Sequence, residues 1–421
     1  MKSLKLFFTL SIALLLFSCG GDDDYVAVDT TPSAPQNLIA IILNENSLEL
    51  QWNPPTQGNE VIGYNIYQDD TVIFSNVTET QQVVTSLEAD SSYTYYVTAV
   101  GTNNDESEAS NLVIATTDAI PLAFEDSLTD MGVFQGTFSS LTPAQGVQLY
   151  EINSTLFTDY AAKQRLIRLP EGKAMEYTGS DLLPDFPNNT LIAKTFYYNI
   201  DDRDPSLGKQ IIETRIFLKI NGVWEAGDYI WNEDQTDATY RETSSVEAIS
   251  YIDIEGNTQN ISYEIPSKQD CATCHNNNGN TFPIGLKLRS MNFTPANSGN
   301  QNQLQTFIDN ETLTGLSNPT EISVLPDWTD EATYTIFERA RAYMDVNCAH
   351  CHQPGGEVTN FAIDFRYETP QVDTGIYANR GEIEARTQST IPTYRMPQLG
   401  RTIVHEEAVA MLIEYLDIIE E

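Results

Sequence analysis

Four of the five cysteines in this 421-residue chain fall in two frames of the same form, Cys271-Ala272-Thr273-Cys274-His275 and Cys348-Ala349-His350-Cys351-His352. Each reads C-x-x-C-H. Two thiols at that spacing can add to the two vinyl groups along one edge of a porphyrin, and the adjacent imidazole then reaches the iron from the proximal side. The frames therefore predict two covalently attached haem c groups. Cys271, Cys274, Cys348 and Cys351 would be the attachment points and His275 and His352 the iron ligands. The fifth cysteine is Cys19, so none is left for a structural disulfide.

Three rival chemistries fit the pairs less well. A four-cysteine zinc site would have to bring together pairs separated by 74 positions and would leave the histidine after each pair unexplained. Thioredoxin-like redox pairs call for a βαβ context that neither frame shows. Disulfides inside C-x-x-C loops would constrain almost nothing in the unfolded chain.

On the distal side of the second haem the candidate is Met396, in Tyr394-Arg395-Met396-Pro397, weighed against a methionine that merely fills core space. For the first haem the choices remain open among Met291, a vacant or water-bound position, and the leftover histidines His350 and His405. His350 within its own frame reads as a solvated loop residue. Arg395 and Arg401 flank the methionine loop and could meet a haem propionate, with ordinary surface exposure as the plainer alternative. Asp201-Asp202-Arg203-Asp204 has the oxygen density of a calcium loop without EF-hand spacing, so a solvated acidic turn is the stronger expectation. No phosphate-cradling glycine loop or nucleophile elbow is present.

The elements that must position these residues are mostly strands. Leu48 to Trp52 and Gly63 to Tyr67 alternate apolar and polar, Asn53-Pro54-Pro55 punctuates them, and Tyr93 to Val100 continues the pattern. With Pro35, Trp52, Tyr64, Leu87, Tyr93 and Ala99 as markers, residues 33–118 resemble a fibronectin type III domain, with Tyr93 where a tyrosine corner would fall. The expected role is a rigid spacer, a binding module being the alternative. Farther on, Ile212, Thr214, Ile216, Leu218 and Ile220 predict a strand with one apolar face, and Asn221-Gly222 a hairpin turn. Tyr251 to Ile254 and Ile261 to Ile265 predict a second hairpin leading into the first frame. Thr329 can cap a helix carrying Tyr334, Phe337 and Met344 on one face, and Ala408, Met411, Leu412, Tyr415, Leu416 and Ile419 predict an amphipathic final helix.

The start of the chain reads as an address. Lys2 and Lys5 precede an apolar run from Leu6 to Phe17, too short to span a bilayer, which is the form of a secretory signal. Leu16-Phe17-Ser18-Cys19 resembles a lipobox, implying cleavage before Cys19 and its lipidation. Gly20-Gly21-Asp22-Asp23-Asp24 resembles the surface-export signal of Bacteroidetes lipoproteins, a solvated tether being the alternative. With 22 basic and 60 acidic side chains the net charge is -38, which disfavours nucleic acid and anionic lipid and points to a basic or metal-bearing partner, with plain solubility of an exported protein as the alternative.

Helix, C-x-x-C-H, a loop ending in Met-Pro and a closing helix, over about 326–421, resemble a class I cytochrome c. From Leu149 onward the chain also resembles a family of bacterial dihaem c-type cytochromes of unassigned role, through Leu156-Phe157-Thr158-Asp159, Tyr229 to Ala238, and Asn347 to His352. The expected fold is thus multidomain. A signal peptide over 1–18 and a tether over 19–32 precede the all-β sandwich of 33–118, a β-rich domain of 119–325 that leads into the first haem site, and an α-helical class I cytochrome c domain of 326–421. The expected function is electron transfer between redox partners by a lipid-anchored protein of the cell envelope, at the outer membrane and potentially on its surface. The alternatives are a dihaem peroxidase-like enzyme with one open iron position, and a surface binding protein with auxiliary haems.

Overall fold

The computed structural model describes residues 31–296 and 298–420. The signal, Cys19 and the acidic tether lie outside the described residues. The chain divides into two compact units at Ile120 and Pro121.

The first unit is a sandwich of seven strands. One sheet has the order β1 (Gln36–Asn44), β2 (Ser47–Asn53), β5 (Gln81–Thr85); the other has β4 (Thr71–Val77), β3 (Val61–Gln68), β6 (Ser92–Gly101), β7 (Val113–Thr116). Period-two alternation sends Leu48, Leu50 and Trp52 from one sheet and Tyr64, Ile66, Tyr95, Val97 and Ala99 from the other into a shared core. Trp52 meets Tyr64 edge to face at 5.3 Å. The Tyr93 hydroxyl accepts the backbone N–H of Glu88 at 2.8 Å, closing the expected tyrosine corner.

The second unit is built on a six-stranded antiparallel sheet. In sequence it runs β8 (Val147–Leu149), β9 (Ala162–Arg168), β10 (Met175–Glu176), β11 (Leu191–Asn199), β12 (Lys209–Ile220), β13 (Val223–Trp231) and β14 (Ala238–Arg241). The sheet order is β14-β13-β12-β11-β9-β8, and β10 pairs instead with a distant two-residue strand, β19 (Leu313–Thr314). At the tip of β12 and β13 both Asn221 and Gly222 have positive φ, 49° and 81°, as a two-residue hairpin turn requires. The single apolar face expected for β12 is only partly kept. Thr214, Ile216 and Leu218 stay on one face, but a bulge opposite Phe196 and Tyr197 moves Ile212 to the other, and the strand is covered on both sides.

The hairpin of β15 (Ser245–Ile252) and β16 (Thr258–Ile265) leads into α1 (Lys268–Cys274), followed by the small hairpin β17 (Asn276–Asn277) and β18 (Asn280–Thr281). Helices α2 (Leu288–Met291) and α3 (Gln303–Asp309) precede α4 (Ile336–Asn347), α5 (Ile376–Thr387) and α6 (Glu406–Ile418). Helices α4 and α6 pack through Ala340, Tyr343, Met344, Ala408, Met411, Leu412, Tyr415 and Leu416. The expected face of α6 is buried as read. The first long helix differs from expectation. It is capped by Thr335 and Glu338 in a reciprocal box, six residues after Thr329, which sits in a turn around Asp327. Tyr334 precedes the helix, and Phe337 is 42 % exposed.

Contacts cross the boundary expected at 325/326, and residues 121–421 cluster as one compact unit. Buried Asp345 on α4 accepts from Lys287 at 2.8 Å and Arg289 at 2.9 Å, and Ser154 and Asn153 bond the carbonyls of Pro326 and Leu325. Removing one partner of such a buried network would leave the others uncompensated, at a cost of about 3–5 kcal/mol.

Candidate functional site

Helix α1 begins with a capping box in which Ser267 and Asp270 exchange hydrogen bonds, so its two cysteines ride on a fixed turn and His275 closes it. The His275 ring nitrogen Nδ1 lies 2.8 Å from the Phe282 carbonyl, and the Phe282 N–H donates back to the His275 carbonyl at 3.0 Å. The carbonyl can only accept, so Nδ1 carries the proton and Nε2 keeps a free lone pair. That is the tautomer a metal-ligating histidine adopts. The Phe217 ring covers the imidazole at 4.5 Å. Burial first, and then the charge of Lys194, push His275 down to about 3, so it is a neutral imidazole at any ordinary pH.

The second frame starts where α4 ends. Cys348 caps that helix through its N–H to the Met344 carbonyl, and His352 is held by its N–H to the Cys348 carbonyl at 3.0 Å. Burial, with the nearby His350 and Arg386, pushes His352 down to about 4, and its buried Nδ1 has no partner among the described residues. The Met396 N–H bonds the Arg386 carbonyl, so the methionine loop and His352 share Arg386 as a neighbour.

The two frames converge. Asn278 donates its backbone N–H to the Gly355 carbonyl, the Asn277 side chain donates to Pro354, and ligand atoms of Cys274, His350 and Cys351 lie within 4.8 Å of one another. His350, expected to be solvated, is therefore buried. The 74-residue separation that disfavoured a shared metal site is no obstacle in space, although Cys271 and Cys348 stand outside this group, leaving it one short of a four-ligand zinc site. Burial pushes the Cys271 thiol up to about 11 and Cys348 to about 12, whereas the hydrogen bond with Cys274 holds Cys351 below its ordinary value. Beside the junction is a cavity of about 420 Å³, lined by Leu182, Phe282, Ile284, Val346, Ala349 and His350.

The remaining candidates divide. Met291 is wholly buried in an apolar cluster with Leu288, Leu304 and Phe307. His405 is stacked on Phe157 at 4.1 Å and edge-on to Trp328, with the Tyr343 hydroxyl 3.0 Å from Nδ1. Both arginines beside Met396 are buried, contrary to the surface alternative: Arg395 pairs with Glu264 at 2.6 Å, and Arg401 donates to five backbone carbonyls. In the acidic run, Arg203 grips Asp201 through two nitrogens and Asp204 caps a short 3-10 turn, so those carboxylates already have partners.

Phe157 and Asp159, noted in the sequence without a role, prove to be connectors. The Phe157 N–H bonds Asn347, immediately before the second frame, and Asp159 accepts from Thr402 and Ile403 just past the methionine loop.

Residues 33–115 match the model of the fibronectin type III domain, and that stretch is such a domain. The chain is similar to Chitinase A1 of Niallia circulans, 39% identical over 95 residues, which are 22% of this chain and 13% of that protein. It is also similar to ephrin type-B receptor 1 of Gallus gallus, 36% identical over 98 residues, 19% of this chain and 10% of that one. Thus the chain spans only about a tenth of these relatives. Among solved structures, a myokine is 29% identical and covers 21% of this chain and 99% of its own, with a TM-score of 0.19. The chain is multidomain and strongly β-rich.

Proposed function

We propose that the second unit carries two covalently attached haem c groups and that the protein transfers electrons between redox partners. The observation that carries this reading is the meeting of two complete C-x-x-C-H frames at Cys274 and Cys351. Support comes from the His275 tautomer, with Nε2 free and Nδ1–H spent on a carbonyl. The tautomer of His352 is not fixed in the same way, since its buried Nδ1 has no partner among the described residues. Bound haem supplies a one-electron couple. The residues of this chain supply four thiols and two neutral imidazoles, with Met396 on a pinned loop beside the second frame. The helical region from α4 to α6, with that loop between α5 and α6, is read as the class I cytochrome c part.

Acid-acetone extraction of the full-length protein made with a c-type maturation system, followed by mass measurement, tests the proposal. Two haem masses should remain on the chain. Release of the haem, or stoichiometric zinc in its place, sinks the proposal.

Met291 favours a second reading. Its enclosure in the core leaves an open position, His350 and His405 as the remaining choices at His275, and an open position suits a peroxidase-like enzyme. A haem that is high spin and binds cyanide would favour that enzyme, whereas two six-coordinate irons favour the carrier. The fibronectin domain is read as a spacer, and anchoring is assigned to lipid on Cys19. Cys19→Ala should lose partition into a detergent phase; unchanged partition removes the anchor from that residue.

A further inference from the structure

Cross-strand partners share a face of a sheet, and on the central sheet one row reads Arg165, Lys194, Arg215, Asp228 across β9, β11, β12 and β13. Three of the four are bases, in a chain with only 22 basic side chains against 60 acidic ones.

Within the row the charges are unequally satisfied. Arg215 forms a two-point pair with Glu213, which also accepts the Tyr263 hydroxyl at 2.6 Å. Burial first, and then the charge of Glu213, push the Asp228 carboxyl well above its ordinary value, which makes it a poor counter-charge for the bases of the row. Arg165 is buried, and among the described residues its Nε has no partner and Glu151 attracts it without closing an ion pair. Lys194 has no hydrogen bond or ion pair among the described residues, and burial followed by repulsion from Arg165 pushes it down to about 7. A half-buried ammonium beside a buried guanidinium, with no carboxylate closed on either, is a costly arrangement for the chain alone.

The row lies beside the first frame. Arg215 and Lys194 both act electrostatically on His275; Cys271 feels Arg215 and is in turn felt by Lys194. From Arg215 to Arg165 is two strand spacings, about 10 Å, which is about the width of a porphyrin. The row therefore starts beside the frame and runs along the sheet for about that distance. Arg395 and Arg401 are already engaged and cannot serve there.

We infer that Lys194 and Arg165 form a carboxylate-binding site for the propionates of the haem attached at Cys271 and Cys274. The inference rests on the dihaem reading above. It makes the sheet, rather than the helices, the element that fixes the orientation of this haem and sets its potential. Cations at the propionates offset their charge and so favour the reduced iron.

The test is a potentiometric titration of the holoprotein and of Lys194→Gln and Arg165→Gln, with haem counted by mass in each. One of the two couples should shift toward the oxidised form, by about tenfold in its reduction equilibrium, while the other stays put. Lys194→Arg and Arg165→Lys should restore it. If Arg165→Gln does not fold, Lys194→Gln alone decides. Two haems with both couples unchanged in the glutamine variants overturn the site and leave the dihaem reading standing. No haem on the parent protein overturns both.

Discussion

The backbone N–H of Asn278 donates to the carbonyl of Gly355 at 2.7 Å, stitching the loop after the first C-x-x-C-H frame to the loop after the second. Gly355 has φ +81°, and a Cβ there would lie 2.7 Å from the Asn277 Oδ1 and closer still to the Asn278 side chain. An L side chain in that conformation costs about 1–2 kcal/mol before any clash. Gly355→Ala should therefore lower the unfolding free energy of the second unit by about that amount, read as a lower urea midpoint at unchanged slope. An unchanged midpoint would show that the stitch contributes nothing.

Local patterns were legible where the fold is local. The alternation around Trp52 and Tyr64, the Asn221-Gly222 turn and the buried face of α6 follow from period-two and period-3.6 readings and from residues that tolerate positive φ. The start of α4 was misread although its signal was present. Thr335-Ile336-Phe337-Glu338 is itself a capping box, but Thr329 followed by Asp330 and Glu331 offered a competing start, and Asp330 instead bonds Ala332 and Thr333 in a turn. What the sequence could not disclose depends on register between distant strands. His350 is buried because the frames meet, and Arg165 joins Lys194 only through the pairing of β9 with β11.

Asp345 should be the main acid-sensitive tie between α4 and the β region. Burial opposes its charge, but Lys287 and Arg289 more than offset that and hold the carboxyl below its ordinary value. A folded value below the unfolded one, about 3.9, means stability that is fully present above about pH 4 and is lost as pH falls through the folded value. Asp345→Asn leaves buried Arg289 with only Glu368 and Lys287 with no carboxylate, and should cost about 3 kcal/mol at neutral pH. Urea unfolding of parent and variant at pH 7 and again near pH 3 checks this. The gap should narrow at the lower pH, and a gap that widens there would refute the assignment.

The Met396 loop is held by a cation that has no carboxylate partner among the described residues. Arg401 is 3 % exposed and its guanidinium reaches the carbonyls of Arg386, Thr387, Ser389, Met396 and Ile403, at 2.7 Å for Met396. Arg401→Met keeps the apolar stem but leaves those acceptors to each other, and unsatisfied buried groups cost about 1–3 kcal/mol each. If Met396 ligates iron as proposed, this variant should weaken or erase a thioether-to-iron absorption band in the far red, and Met396→Ala should erase it completely. Haem mass should remain two in both, since no thiol is touched. Met291→Ala should leave the band intact and instead lower stability by about 2–5 kcal/mol, as loss of a fully buried methionine does. A far-red band that survives Met396→Ala would remove Met396 from the iron and leave Arg401 as a structural clamp on the loop alone.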